Sequence, residues 1–169
     1  QGRKDLGLHT EMFTDGVMHM IQSGHVTGEK KTLHHRKVAS SIIMGSKALY
    51  DFIDHNEMIE MYPVNHMNDP YVIGQNDRMV SINSCLEIDL YGQVASEAIG
   101  LEQFSGTGGQ VDYLRGATRS RGGRSILAFT STAKGGTVSR IVPVLPPGAT
   151  VTSGRNEVDY IATEYGAVR

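Results

Sequence analysis

The chain has 169 residues, 39% apolar and 20% charged, with sixteen Lys+Arg against eighteen Asp+Glu for a net charge of −2. That composition is globular, and it carries no basic footprint for nucleic acid or an anionic membrane surface. No apolar run approaches the roughly 20 residues of a spanning helix, so no membrane partner is expected. A single cysteine, Cys85, excludes an internal disulfide framework and an all-cysteine zinc site, and fits a reducing, cytoplasmic setting.

In chain order, residues 6–10 alternate as a short strand. Residues 15–23 follow as a helix, with Val17, Met18, Met20 and Ile21 apolar and Ser23-Gly24 as its stop. A polar turn at 27–31 precedes an apolar strand at 38–44, closed by Gly45. Ser46 is placed to cap a helix at 47–54 whose stripe is Leu49, Phe52 and Ile53. A strand at 58–64 is limited by Pro63, and Asp69-Pro70 starts a short helix. Strands are expected at 79–82 and 86–90, a helix at 110–117, and strands at 125–130, 139–144 and 158–163. Tyr91-Gly92 and Pro146-Pro147-Gly148 are turns.

This alternation predicts an α/β fold with an open, mixed, mostly parallel sheet and helices on both faces. Without a repeat or linker, residues 1–169 read as a single domain. The chain opens at Gln1 on a strand already under way and stops at Arg169 soon after another, the pattern of a piece of a longer protein.

Four segments can carry chemistry. In His9-Thr10-Glu11-Met12-Phe13-Thr14-Asp15-Gly16 a strand runs toward a helix, which puts Glu11 where ligands of α/β sheets collect. A carboxylate there can act as nucleophile, base or ligand; Glu11 or Asp15 can equally be a plain helix cap. Ser105-Gly106-Thr107-Gly108-Gly109-Gln110 can turn amides toward a phosphate or an oxyanion, or be an ordinary turn. Lys134, in Ala133-Lys134-Gly135-Gly136, can meet a phosphate or sit at a solvated hairpin tip. Asn65, in Tyr62-Pro63-Val64-Asn65-His66, can donate to a developing oxyanion or be structural. The seven histidines lack metal-ligand spacing, so no metal site is expected. Cys85 reads as a small buried residue.

These segments, with Asn83-Ser84 and Thr163-Glu164-Tyr165-Gly166, occur in an order that resembles the acetyl-CoA hydrolase/transferase family over nearly the whole chain. The resemblance implies most of a C-terminal CoA-transferase-like α/β domain. The family's N-terminal domain, and a Gly-rich segment before its glutamate, lie outside this chain. It implies that Glu11 is the catalytic glutamate and that Asn65 stands near the reacting carbonyl. It assigns Gly106, Gly108, Gly109, Asn83 and Lys134 to coenzyme A, a co-substrate rather than a resident cofactor. The implied reaction moves CoA between an acyl-CoA and a small carboxylate, such as acetate or 4-hydroxybutyrate, in a homo-oligomer. A hydrolase of the same family and a non-catalytic nucleotide-binding or assembly domain are the alternatives.

Overall fold

A computed structural model describes residues 2–169. The chain falls into two compact units, the first ending at Asp77 and the second spanning Arg78–Arg169.

The first unit alternates strand and helix: β1 (His9–Phe13), α1 (Asp15–Gln22), β2 (Val38–Ile43), α2 (Lys47–Ile53), β3 (Ile59–Met61), α3 (Val64–Met67) and α4 (Pro70–Gly74). The three strands pair in parallel in the order β1-β2-β3, with His9 opposite Ala39 and Val38 opposite Ile59. Parallel neighbours need a crossover, which α1 and α2 supply. The core gathers Phe13, Met18, Val26, Val38 and Leu49, with Leu8, Ile21 and Phe52 packed against it.

The two crossover helices are tied at their starts. Thr14 caps α1 without a side-chain bond. Asp15 instead accepts from the Ser46 amide (3.0 Å) and from Ser46 Oγ (2.6 Å), and Ser46 Oγ in turn accepts from the Leu49 amide. Those Ser46 bonds hold the Asp15 carboxyl below its usual range. A Cβ at Gly45 would stand 2.5 Å from Asp15 Oδ2 and 2.6 Å from Leu49 Cδ2, so a larger residue there would displace the side chains that tie the two helices.

The second unit contains β4 (Val80–Asn83), β5 (Glu87–Asp89), β6 (Val94–Ala95), β7 (Ala98–Ile99), β8 (Glu102–Gln103), α5 (Gln110–Arg119), β9 (Arg124–Ala128), β10 (Thr132–Ala133), β11 (Val138–Ser139), β12 (Ile141–Val142), β13 (Tyr160–Thr163) and β14 (Gly166–Val168). A four-stranded sheet has the order β14-β13-β9-β4, parallel except for the β13–β14 hairpin. A second sheet, β12-β5-β6, is mixed, and β7–β8 and β10–β11 are separate antiparallel hairpins. Cys85, Ile88, Val94, Leu127 and Phe129 form the core here.

The mixed α/β class therefore stands, but the one open, mostly parallel sheet is corrected to several sheets. Its parallel character holds in β1-β2-β3 and across β4, β9 and β13. Elsewhere the strands run only two or three residues and are interrupted by left-handed glycines such as Gly92 (φ 83°) and Gly100 (φ 57°), too short to extend a common sheet.

Candidate functional site

Glu11 is the third residue of β1, inside the strand rather than beyond its end. The strand starts later than the alternation of Leu6 and Leu8 predicts, because Leu6 pairs with the 25–28 loop through His25, Thr27 and Gly28. Neither Glu11 nor Asp15 caps α1 with its side chain.

Side chains two apart on a strand share a face, so His9 and Glu11 point the same way. Both meet the turn made by α3. His9 Nε2 donates to the Met67 carbonyl (2.9 Å), and Asn68 Nδ2 donates to Glu11 Oε2 (2.7 Å). Ser40 Oγ and Ser41 Oγ both donate to the Glu11 carbonyl, at 3.0 and 3.1 Å, which fixes the backbone that carries the carboxylate. Glu11 is thus half-buried, oriented on one oxygen and free to present the other.

His9 is buried at 5% exposure, and burial pushes its imidazole down to about 4, against a smaller opposing effect of the Met67 bond. Lys31 donates to the carbonyls of Leu8 (2.7 Å) and Lys37 (3.0 Å), and burial lowers it to about 8.

The amide that reaches Glu11 is that of Asn68, not Asn65. Asn65 lies on the same helical turn and is exposed. Sequence reasoning read 58–64 as strand. After β3, however, Pro63 ends the extended backbone and starts α3, a four-residue helix too short for a periodic signal. The signal that could have found Asn68 is its place before Asp69-Pro70: Asp69 Oδ1 accepts from the Tyr71 amide to start α4, leaving Asn68 as the last residue of the preceding turn.

In the second unit the glycine segment leads directly into α5. Gly108 is left-handed (φ 56°), while Gly109 caps the helix at φ −91°, a value open to any residue. A Cβ at Gly106 or Gly108 would meet nothing within 4 Å. Asn83 ends β4 and donates from Nδ2 to Ser81 Oγ (2.8 Å). Lys134 stands at the tip between β10 and β11, in a left-handed turn with Gly135 and Gly136, which fits the hairpin-tip reading. Cys85 is buried, and desolvation pushes its thiol up to about 12, against nucleophilic use. Among the described residues no group of three or more His, Cys, Asp or Glu side chains is arranged to hold a metal ion.

Residues 45–169 match the acetyl-CoA hydrolase/transferase C-terminal domain. The chain is 55% identical over 166 residues to the 4-hydroxybutyrate coenzyme A transferase of Clostridium kluyveri, covering 98% of this chain and 39% of that protein. Among solved structures, a 4-hydroxybutyrate CoA-transferase from Porphyromonas gingivalis is 60% identical with a TM-score of 0.85, and RipA from Yersinia pestis is 45% identical with a TM-score of 0.92. The chain covers 100% and 99% of itself in these superpositions but 38% of each structure. It therefore spans about two-fifths of the length of the relatives it matches. The chain belongs to the acetyl-CoA hydrolase/transferase family and carries that family's C-terminal domain.

Proposed function

We propose that the protein containing this chain transfers CoA between an acyl-CoA and a small carboxylate, with Glu11 as covalent acceptor. The observation that carries this reading is the half-buried Glu11 carboxylate, held on one oxygen by the Asn68 amide at 2.7 Å. The matched relatives named for their activity are transferases rather than hydrolases, which favours transfer over hydrolysis.

In the proposed sequence Glu11 Oε1 attacks the thioester carbonyl. The tetrahedral oxyanion collapses with loss of CoA thiolate and leaves an acyl-glutamyl anhydride. The thiolate then attacks the glutamyl carbonyl, giving a glutamyl-CoA thioester and releasing the first acid as its carboxylate. An incoming carboxylate runs the same steps in reverse. Each half splits one difficult exchange into two easier displacements. The Asn68 amide is suited to the oxyanion that forms on the glutamyl carbon, where one such donor contributes roughly 3 kcal/mol. Asn65, one turn earlier and exposed, is proposed to face the acyl carbonyl. In the second unit, Gly106, Gly108 and Gly109 are proposed to present amides at the start of α5 to coenzyme A, with Asn83 and Lys134 as further contacts. We also propose that this chain is most of the C-terminal domain of a longer, homo-oligomeric protein.

The test is turnover of the full-length protein with an acyl-CoA, with and without added acetate. Glu11→Gln and Glu11→Asp should both lose transfer by at least about a thousandfold, the second because retraction by one methylene misses attack distance. Wild-type rates in Glu11→Gln would refute covalent acceptance at this residue.

A further inference from the structure

A second cluster lies beside the Glu11–Asn68 pair, and the reaction outlined above does not use it. Tyr62 OH donates to Glu60 Oε2 (2.8 Å) and also faces His34 Nδ1 (3.1 Å); His34 Nε2 faces His66 Nε2 (3.2 Å). The rings of His34, Tyr62 and His66 pack on one another with centroids 4.6–5.5 Å apart. His34 itself is left-handed (φ 53°) and mostly buried, at 13% side-chain exposure. A β-region backbone is easier for histidine, so surrounding contacts hold it there.

The chemistry of the four groups fixes the direction of every bond. A carboxylate only accepts, so the single Tyr62 proton goes to Glu60. The side of that hydroxyl facing His34 is then a lone pair, and His34 carries its proton on Nδ1. Neutral His34 leaves Nε2 bare, and His66 must donate from Nε2. With both histidines neutral, the run is His66 to His34 to Tyr62 to Glu60.

We infer that this run is a positioning network for the Asn68 amide, and that it accepts one proton but not two. The inference rests on the reading of Glu11 as acceptor. His66 and Asn68 are two residues apart on the α3 turn, so what anchors His66 sets where Asn68 stands. With one proton added to the histidine pair, one Nε2 still offers a lone pair to the other and all four groups stay bonded. A second sets two N–H groups head to head across 3.2 Å, and the contact must open. The charged groups around the pair are His9 and Glu11 on β1, Lys31 and Lys37 on the loop before β2, and Glu60 on β3. Lys37 Nζ lies 3.6 Å from Glu60 Oε1, and the His9 ring is 6.5 Å from that of His34. Burial, with Lys31 and His66 adding repulsion against the opposing pull of Glu60, keeps His34 below its ordinary 6.5.

The experiment is the pH profile of kcat and KM in the full-length protein for wild type, His66→Gln and His66→Leu. Wild type should lose kcat on an acid limb below pH 6.5. A glutamine amide both donates and accepts, so it satisfies His34 in either protonation state. His66→Gln should therefore keep neutral-pH kcat within about threefold and flatten the acid limb. His66→Leu should drop kcat about tenfold or more at all pH values with little change in KM for the acyl-CoA, since a displaced donor is costly in the transition state. A wild-type acid limb in His66→Gln, or wild-type rates in His66→Leu, overturns the network. Two-bond ¹H–¹⁵N spectra of histidine-labelled full-length protein give a readout without turnover: His34 should be the Nδ1–H tautomer and His66 the Nε2–H tautomer. Finding the same tautomer on both also overturns it. Wild-type rates in Glu11→Gln would instead sink the acceptor reading and leave the tautomer result standing.

Discussion

At Glu11 three different atoms of neighbouring segments decide what one carboxylate can do. Two serine hydroxyls of β2 hold its carbonyl, and the Asn68 amide holds one carboxylate oxygen. Removing the amide in Asn68→Ala should lower kcat of the full-length protein by about a hundred- to a thousandfold, the loss expected for one oxyanion donor. Asn65→Ala should cost less, because its side chain is exposed. Equal losses would place the donor role on Asn65 as much as on Asn68. His9 makes a separate prediction about stability. Its folded value near 4 lies below the ordinary 6.5, so the unfolded chain binds a proton that the fold refuses. Its contribution is complete above pH 6.5 and is lost as pH falls toward 4, by up to roughly 3 kcal/mol. Denaturant midpoints across that range should fall more steeply for wild type than for His9→Gln, whose amide still reaches the Met67 carbonyl. Parallel slopes would mean that His9 does not titrate in this way. Glu11 stood out in the sequence as a candidate through the family resemblance, since its strand-to-helix segment alone fitted a helix cap equally well. Asn68 was not, since residues 65 and 68 are one helical turn apart and only the fold decides which of them meets β1.

Among elements, α1, α2, α4 and β2 of the first unit follow their local signals closely, whereas β1 lies at His9–Phe13 rather than 6–10 and β3 keeps only Ile59–Met61 of the expected 58–64. Ser46 caps α2, Asp69 and Pro70 start α4, and α1 ends one residue before the predicted stop. What was illegible is short. α3 has four residues, and β6, β7, β8, β10, β11 and β12 have two each, too few for any periodicity to show. The His34–His66–Tyr62–Glu60 network was equally hidden, because it joins a loop, a strand and a turn through pairs 28 to 32 residues apart in sequence. The glycine segment before α5 was legible as a loop, and its geometry now separates two roles. Gly108 is needed for its backbone, while Gly106 is neither left-handed nor crowded. Gly106→Ala should therefore leave the melting temperature within about 1 °C of wild type, since no strain or clash accompanies it. If the loop approaches coenzyme A closely, the same change should raise KM for acyl-CoA severalfold. An unchanged KM would make Gly106 a loop residue only.

For the whole molecule, family membership and the mixed α/β class follow from the sequence, while the split into several sheets does not. Two-residue strands pair wherever a partner edge is offered, and that is settled by long-range packing rather than by local pattern. Large apolar side chains also stand exposed on the described surface, including Leu101 at 90% and Ile99 and Phe104 beside it in the segment of β7 and β8. A chain spanning two-fifths of its relatives is expected to leave such surface uncovered. The central claim, covalent acceptance at Glu11, is tested most directly by trapping. Full-length protein is mixed with acyl-CoA and no acceptor acid, reduced with borohydride, digested and mapped by mass. A glutamyl-CoA thioester at Glu11 predicts conversion of that one side chain to the alcohol, in the peptide carrying His9-Thr10-Glu11-Met12. Reduction at another residue, or none in a preparation that turns over, would contradict it.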